Sequence, residues 1–324
     1  MKGYRRQMKC FQKNIRSRNN MRRKEFENIT GRFYMENILE ISKLNKSYTD
    51  FSLTDVSFSL PDNSITGFIG VNGSGKTTTI RSILGLAKFN SGTIKLFGQD
   101  MNGNTRSLKE RIGVVLDEGG FYEEFSMSEM KGIVSPAYKN WQERDYNDYM
   151  EQFGLNPKQK ISTLSKGMKM KFSLALALSH EAELLIMDEP TSGLDPLVRS
   201  QMLKILAGYM KKSGRAVFFS THITSDLEQI ADRLILIDNG RILFQEKKDT
   251  LLETYRIVKG DNSLLNIESR KLFLSLNPME RSFIGLTDKP EEIARIMPDA
   301  LMERPTIENI MLGKIERGNA SWQL

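Results

Sequence analysis

Cysteine is almost absent: Cys10 stands alone among 324 residues. No disulfide can form within the chain, and a reducing compartment is the default. Long apolar runs are missing too. Stretches such as residues 184–187 and 216–219 fall far short of the roughly 20 residues that a bilayer-crossing helix needs. Any membrane role must therefore come through a partner. Histidine occurs twice, at His180 and His222. Neither composition nor hydropathy suggests disorder, with 39% hydrophobic residues, 27% charged residues and a mean hydropathy of −0.40. A chain of this length can bury a full α/β core and carry a smaller appended unit.

The net charge of +7 sits in one place. Of 47 basic and 40 acidic residues, 11 and 2 fall in residues 1–34, which leaves 36 basic against 38 acidic for residues 35–324. The body is close to neutral, so no specific nucleic acid is expected as a partner. The basic arm has the charge to bind RNA, DNA or an anionic membrane, and an Arg-rich presequence would look similar, although Glu25 and Glu27 spoil that pattern. The favoured expectation is that residues 1–34 are a disordered extension or a translated leader. At Met35 the chain restarts with Glu36-Asn37-Ile38-Leu39-Glu40-Ile41 and runs into a strand-like alternation. Residues 31–35 are also compatible with a back-translated ribosome-binding site before a start codon; codons around position 31 that cannot spell one would sink that idea.

Beyond Met35 the organisation is plain. Residues 38–41 and 51–60 alternate apolar and polar, and Pro61-Asp62-Asn63 signals a turn. A short β-favouring stretch, residues 64–69, ends in Gly70-Val71-Asn72-Gly73-Ser74-Gly75-Lys76-Thr77, and a helical stretch follows through Leu86. Strand, glycine loop and helix in that order give the pattern G-x-x-x-x-G-K-[ST] its meaning. The glycines let successive N–H groups turn toward phosphate oxygens, and the following helix adds its positive end. Lys76 is expected on the β/γ-phosphates and Thr77 on Mg²⁺, with Thr78 beside it. A second anchor is Leu184-Leu185-Ile186-Met187-Asp188-Glu189, an apolar run of the kind buried on both faces, ending in two carboxylates. In a P-loop ATPase the first acid holds the Mg²⁺ shell and the second polarises the attacking water. Asp188 and Glu189 suit those roles in that order.

The remaining motifs resemble the ABC ATPase family, densely over about residues 35–245. Tyr48 looks like the aromatic that stacks on adenine. Leu164-Ser165-Lys166-Gly167-Met168 looks like the signature loop, with Ser165 and Gly167 meeting the γ-phosphate. Ser192-Gly193-Leu194-Asp195 looks like the D-loop, and His222 like the switch histidine. The resemblance implies an α/β fold: a P-loop NTPase core with a mixed, RecA-like sheet, an inserted helical subdomain at about 117–180, and a small C-terminal α+β extension over 246–324. It implies an ATPase using ATP and Mg²⁺, with Glu189, His222 and Lys76 as the catalytic set. It also implies a separate transmembrane permease, a homodimer or heterodimer that sandwiches nucleotide, and a place on the cytoplasmic face of the membrane. The signature region is closest to the branch serving bacterial drug, peptide and lipid-type exporters.

Two positions depart from the family's commonest pattern. Lys166 replaces a glycine of the signature, and Asp117 stands where most members have glutamine. Asp117 is expected either as a direct metal ligand or as part of a modified coupling loop. A nucleotide-dependent regulator without transport is the alternative function, and steady-state ATPase activity separates it from a motor. A DNA-repair cassette is disfavoured because no sustained heptads appear between residues 76 and 164. A ribosome-acting member would carry two cassettes. Further expectations are a helix over 169–179 with His180 as a capping or surface residue, and exposed aromatics among residues 121–125 and Trp141, the latter equally readable as packing. The C-terminal region is expected to hold strands at 271–276 and 281–286 and a terminal helix near 306–315.

Overall fold

A computed structural model describes residues 37–101, 105–117 and 120–320. The arm 1–34, with the readings attached to it, lies outside the described residues. Alternation of buried and exposed residues builds the first sheet. Strands β1 (Leu39–Ser47) and β2 (Ser52–Leu60) form an antiparallel pair, and β4 (Ser91–Leu96) with β5 (Gln99–Asp100) extends it in the order β2-β1-β4-β5. Strands with no alternation go to the centre of the molecule. β3 (Ser64–Ile69), β6 (Ile112–Val115), β7 (Leu184–Asp188), β8 (Ala216–Thr221) and β9 (Arg233–Asp238) run parallel, and β10 (Arg241–Lys247) closes one edge antiparallel, in the order β10-β9-β3-β8-β7-β6. Every residue of β3, β7 and β8 is buried, which is why their sequences read as continuous apolar runs. Phe58 of β2 packs on Phe68 and Phe218 with ring centroids 5.6 Å apart in both pairs, joining the two sheets.

Helices cover the central sheet and build the insertion. α1 (Lys76–Ile83) follows β3. The insertion holds α2 (Met127–Val134), α3 (Glu143–Gln152) and α4 (Lys166–Leu178), after which come α5 (Pro196–Tyr209) and α6 (Thr224–Ile230). Local chemistry sets the helix starts: Ser126 and Glu129 form a reciprocal capping box on α2, Ser165 caps α4 and Asp195 caps α5. Because Ser165 caps it, α4 begins at Lys166, three residues before the expected 169. Trp141 packs on Tyr146 at 5.5 Å and donates its indole N–H to Glu143 at 2.9 Å, so it is half-buried against the core rather than part of a free exposed patch. Phe121 packs on Phe172 at 5.1 Å. Tyr122, 64% exposed, is the outward aromatic of that stretch.

His180 bears out the capping half of its sequence reading and corrects the surface half. It is 1% exposed, its ring lies 3.7 Å from that of Tyr138, and its nitrogens face the carbonyl oxygens of Leu176 and Ile112 at 3.2 and 3.1 Å. It ties the end of α4 to β6. A sequence window centred on a helix end could not show partners that lie 42 and 68 positions upstream.

The last strand of the central sheet runs to Lys247, and α7 (Lys248–Thr254) buries Leu251. A third, antiparallel sheet then assembles in the order β12-β13-β11-β14 from β11 (Arg256–Asp261), β12 (Ser275–Pro278), β13 (Ser282–Thr287) and β14 (Leu301–Glu303), with α8 (Pro290–Ile296) and the terminal α9 (Ile307–Ala320). The strand expected at 271–276 is displaced toward the C-terminus, because a short helix at Ile267–Arg270 and its following turn take up residues 271 to 273. The terminal helix begins next to the expected 306 and runs five residues past 315. Ile307, Ile310 and Met311 of α9 join the same buried cluster as Leu227, Leu251 and Tyr255, so the C-terminal region shares a core with the central sheet.

Candidate functional site

Four parallel strands end side by side and deliver the site. β3 supplies the glycine loop, β7 the acid pair, β8 the segment leading to His222, and β6 the segment leading to Asp117. This is the carboxyl edge of a parallel sheet, where α/β folds place their ligands.

The loop after β3 takes the shape that its glycines allow. Gly73 and Gly75 have φ of 79° and 113°, in the left-handed region that costs other residues energy. A side chain at Gly70 would overlap the carbonyl oxygen of Ile237 and lie 2.6 Å from Ser74 Oγ, so the backbone can pass there only without one. α1 starts directly from this loop with no side-chain cap and no acid in its first turn. Its first amides are therefore free to meet an anion. Asn72, Gly73 and Thr77 are exposed at the mouth, and Thr78 is half-buried.

Lys76 turns back over this loop. It is 5% exposed, donates to the carbonyl oxygens of Gly70 and Val71 at 2.7 and 3.2 Å, and lies 3.3 Å from Glu189 Oε1. The second oxygen of Glu189 accepts from His222 twice, from Nδ1 at 2.7 Å and from the backbone N–H at 3.2 Å. Glu189 itself has a positive φ of 47° and donates its N–H to the carbonyl and hydroxyl oxygens of Ser220 at 3.1 and 3.2 Å. Ser220 Oγ in turn donates to Asp188 Oδ1 at 2.5 Å. Lys76, Asp188, Glu189 and His222 are thus gathered into one hydrogen-bonded group, with Ser220 as the linking member.

The other predicted positions surround it. Tyr48 is 51% exposed on the turn after β1, with Lys46 Nζ 4.7 Å over its ring. Phe51 of the same turn reaches 2.9 Å from the Cβ position at Gly75, which sets that turn against the glycine loop. Asp195 Oδ1 accepts from the amides of Leu197 and Val198, both at 3.0 Å, and Ser165 Oγ accepts from Met168 at 3.2 Å; both work as helix caps. Gly167, at the start of α4, lies within van der Waals reach of Val198 on α5. Asp117 pairs with Lys166 at 2.7 Å.

Sequence reasoning did not single out Ser220, or the Asn239-Gly240 turn whose Gly240 N–H donates to the carbonyl of Ser74 at 2.9 Å. The dipeptide Asn-Gly was a turn signal in its own right.

The geometry suits a triphosphate. Ser74 Oγ and Thr191 Oγ1 are buried without a hydrogen-bond partner, space is open around Gly73, and Lys76 spends its ammonium on carbonyls that a phosphate oxygen can replace. Among the described residues, no three His, Cys, Asp or Glu side chains are gathered closely enough to hold a metal by themselves. That is the usual condition for Mg²⁺, which takes one or two protein oxygens and completes its shell with phosphate and water.

Residues 53–192 match the family model described as ABC transporter. The chain is 34% identical over 225 residues to the bacitracin transport ATP-binding protein BcrA of Bacillus licheniformis, covering 68% of this chain and 74% of that one. The chain belongs to the ABC transporter ATP-binding family. The linearmycin resistance ATP-binding protein LnrL of Bacillus subtilis is 33% identical over 216 residues, covering 64% of this chain and 68% of the relative. A solved ATP-binding subunit of an ABC transporter superposes with a TM-score of 0.61 at 28% identity, over 67% of this chain and 92% of that one. Members of the ABC transporter ATP-binding family are ATPases that work with separate transmembrane subunits and dimerise, and this chain is such a transport-coupled ATPase. No helix among the described residues is long and apolar enough to cross a membrane.

Proposed function

We propose that the chain powers an exporter by binding and hydrolysing Mg-ATP between two ATPase subunits at the cytoplasmic face of a membrane, in concert with a permease that selects the cargo. The likeness to proteins named for bacitracin transport and linearmycin resistance supports the export direction and an antibiotic-like cargo. The observation that carries the mechanism is the Lys76–Glu189–His222 group. Tyr48 offers its exposed face to the base, and the amides of residues 72–78 and Lys76 hold the phosphates. Thr77 and Asp188 would hold Mg²⁺, which would supply charge neutralisation to the leaving diphosphate. Once phosphate draws Lys76 away, Glu189 Oε1 is freed to accept a hydrogen bond from water aimed at the γ-phosphorus. Water oxygen bonds to phosphorus, the bond to the β-phosphate oxygen breaks, and Glu189 takes the water proton. His222 keeps Oε2 engaged and so orients the carboxylate.

Glu189→Gln in the full chain tests this. Turnover should fall by about two orders of magnitude or more, ATP should still bind, and size-exclusion chromatography should show a shift to dimer that requires Mg-ATP. Retention of wild-type turnover would remove Glu189 as the base. Loss of turnover with ATP bound and no dimer would show that closure needs the permease or a different ATPase subunit.

A further inference from the structure

The two positions where the chain leaves the family's commonest pattern meet each other. Asp117 Oδ1 and Lys166 Nζ are 2.7 Å apart, with side chains 42% and 43% exposed. The aliphatic stem of Lys166 passes 3.6 to 3.9 Å from the Cβ position of Gly193. One side chain therefore pairs with the segment after β6, lies beside the loop after β7, and starts α4. Val115 pairs with Met187, so Asp117 leaves the sheet at the same edge as Asp188 and Glu189.

Each residue alone is unfavourable where it stands. A free carboxylate at that edge raises the negative charge a triphosphate must approach. A lysine at the first position of a helix opposes the positive end of the helix dipole, and α4 has no acid in its first turn to offset it. Its next lysine, Lys169, is likewise neutralised from the preceding segment, by Glu123 at 2.6 Å. Paired, Asp117 and Lys166 each cancel the other's penalty.

We infer that Asp117 and Lys166 act as one neutral unit, a matched replacement for the glutamine and glycine usual at these positions. Lys166 is a positioning residue: it holds the Asp117 segment against the start of α4 and keeps that carboxylate directed away from the nucleotide. Asp117 acts through Lys166 and not as a ligand of Mg²⁺. The inference rests on the ATP-binding reading above.

A double-mutant cycle decides it. Lys166→Ala releases the carboxylate and should raise the KM for Mg-ATP about two- to fivefold with a smaller change in kcat, the size expected of a solvent-screened pair. The effect should shrink as salt rises from roughly 0.05 to 0.5 M. Adding Asp117→Asn should bring KM back to near wild type, and the reversed pair, Asp117→Lys with Lys166→Asp, should recover part of it. Urea unfolding of the wild type, Lys166→Ala, Asp117→Asn and their double variant without nucleotide should be non-additive. Additive effects in both measurements overturn the inference. So does coupling in unfolding with KM untouched by Lys166→Ala, or a higher Mg²⁺ requirement in Asp117→Asn, which would make Asp117 a metal ligand. A wild-type chain that binds no ATP sinks the functional reading alone if unfolding shows coupling, and the inference with it if unfolding does not.

Discussion

Glu189 shows how residue type and backbone shape combine at one position. A non-glycine residue with positive φ is strained by about 1 to 3 kcal/mol, and here the strain turns the carboxylate back between Lys76 and His222. The acid pair was legible in the sequence because an apolar strand ended in it. Its orientation was not, since that depends on Ser220, 31 residues later. The surface half of the His180 reading failed for the same reason, while its capping half holds. Burial depresses its pKa even though the Ile112 and Leu176 carbonyls favour its charge, and a neutral imidazole donates to only one of those two oxygens. A base with a depressed folded pKa binds fewer protons folded than unfolded. Its burial therefore leaves stability intact above the unfolded value of about 6.5 and costs stability as the pH drops below it. The urea midpoint of wild type relative to His180→Gln should accordingly narrow between about pH 8 and pH 5; a constant difference would show that His180 does not titrate in that range.

At the scale of the element, starts and ends were read unevenly: α4 begins three residues before the expected 169 and ends one before the expected 179, whereas α9 begins one residue after 306 and runs five past 315. Ser165 and Asp195 were singled out as nucleotide contacts through family resemblance, and both prove to be helix caps as well. Capping and phosphate recognition draw on the same property, an oxygen beside unpaired amides. Asp195→Ala should lower unfolding stability by about 1 kcal/mol, measured by urea denaturation without nucleotide. No change would mean that the amides of Leu197 and Val198 find water equally well. The displaced strand near 271–276 belongs to the short, half-exposed β12, where few buried side chains pin the register. β3, β7 and β8, buried throughout, left no such freedom.

For the whole molecule, motif order was enough to read the ATPase core but not the way the C-terminal region attaches. Glu228 of α6 accepts the Ile307 N–H at 2.9 Å where α9 begins, and Ile310 is 1% exposed among residues of the main core. Apolar residues so far apart in the chain give no local signal that they share one interior. Ile310→Ala should destabilise the whole protein by about 2 to 5 kcal/mol in a single cooperative transition. An early, separate transition would mean that the C-terminal sheet melts independently.

The position of β3 also sets a clock. Its neighbours in the sheet are β8 and β9, and Ser64 pairs with Ala216, 152 residues later. During synthesis at roughly 5 to 20 residues per second, the glycine loop spends about 8 to 30 s without the strands that shape it. ATP therefore has no pocket to stabilise until the whole insertion, and β7 and α5 after it, have emerged from the ribosome. The nascent chain must stay soluble through that interval by other means.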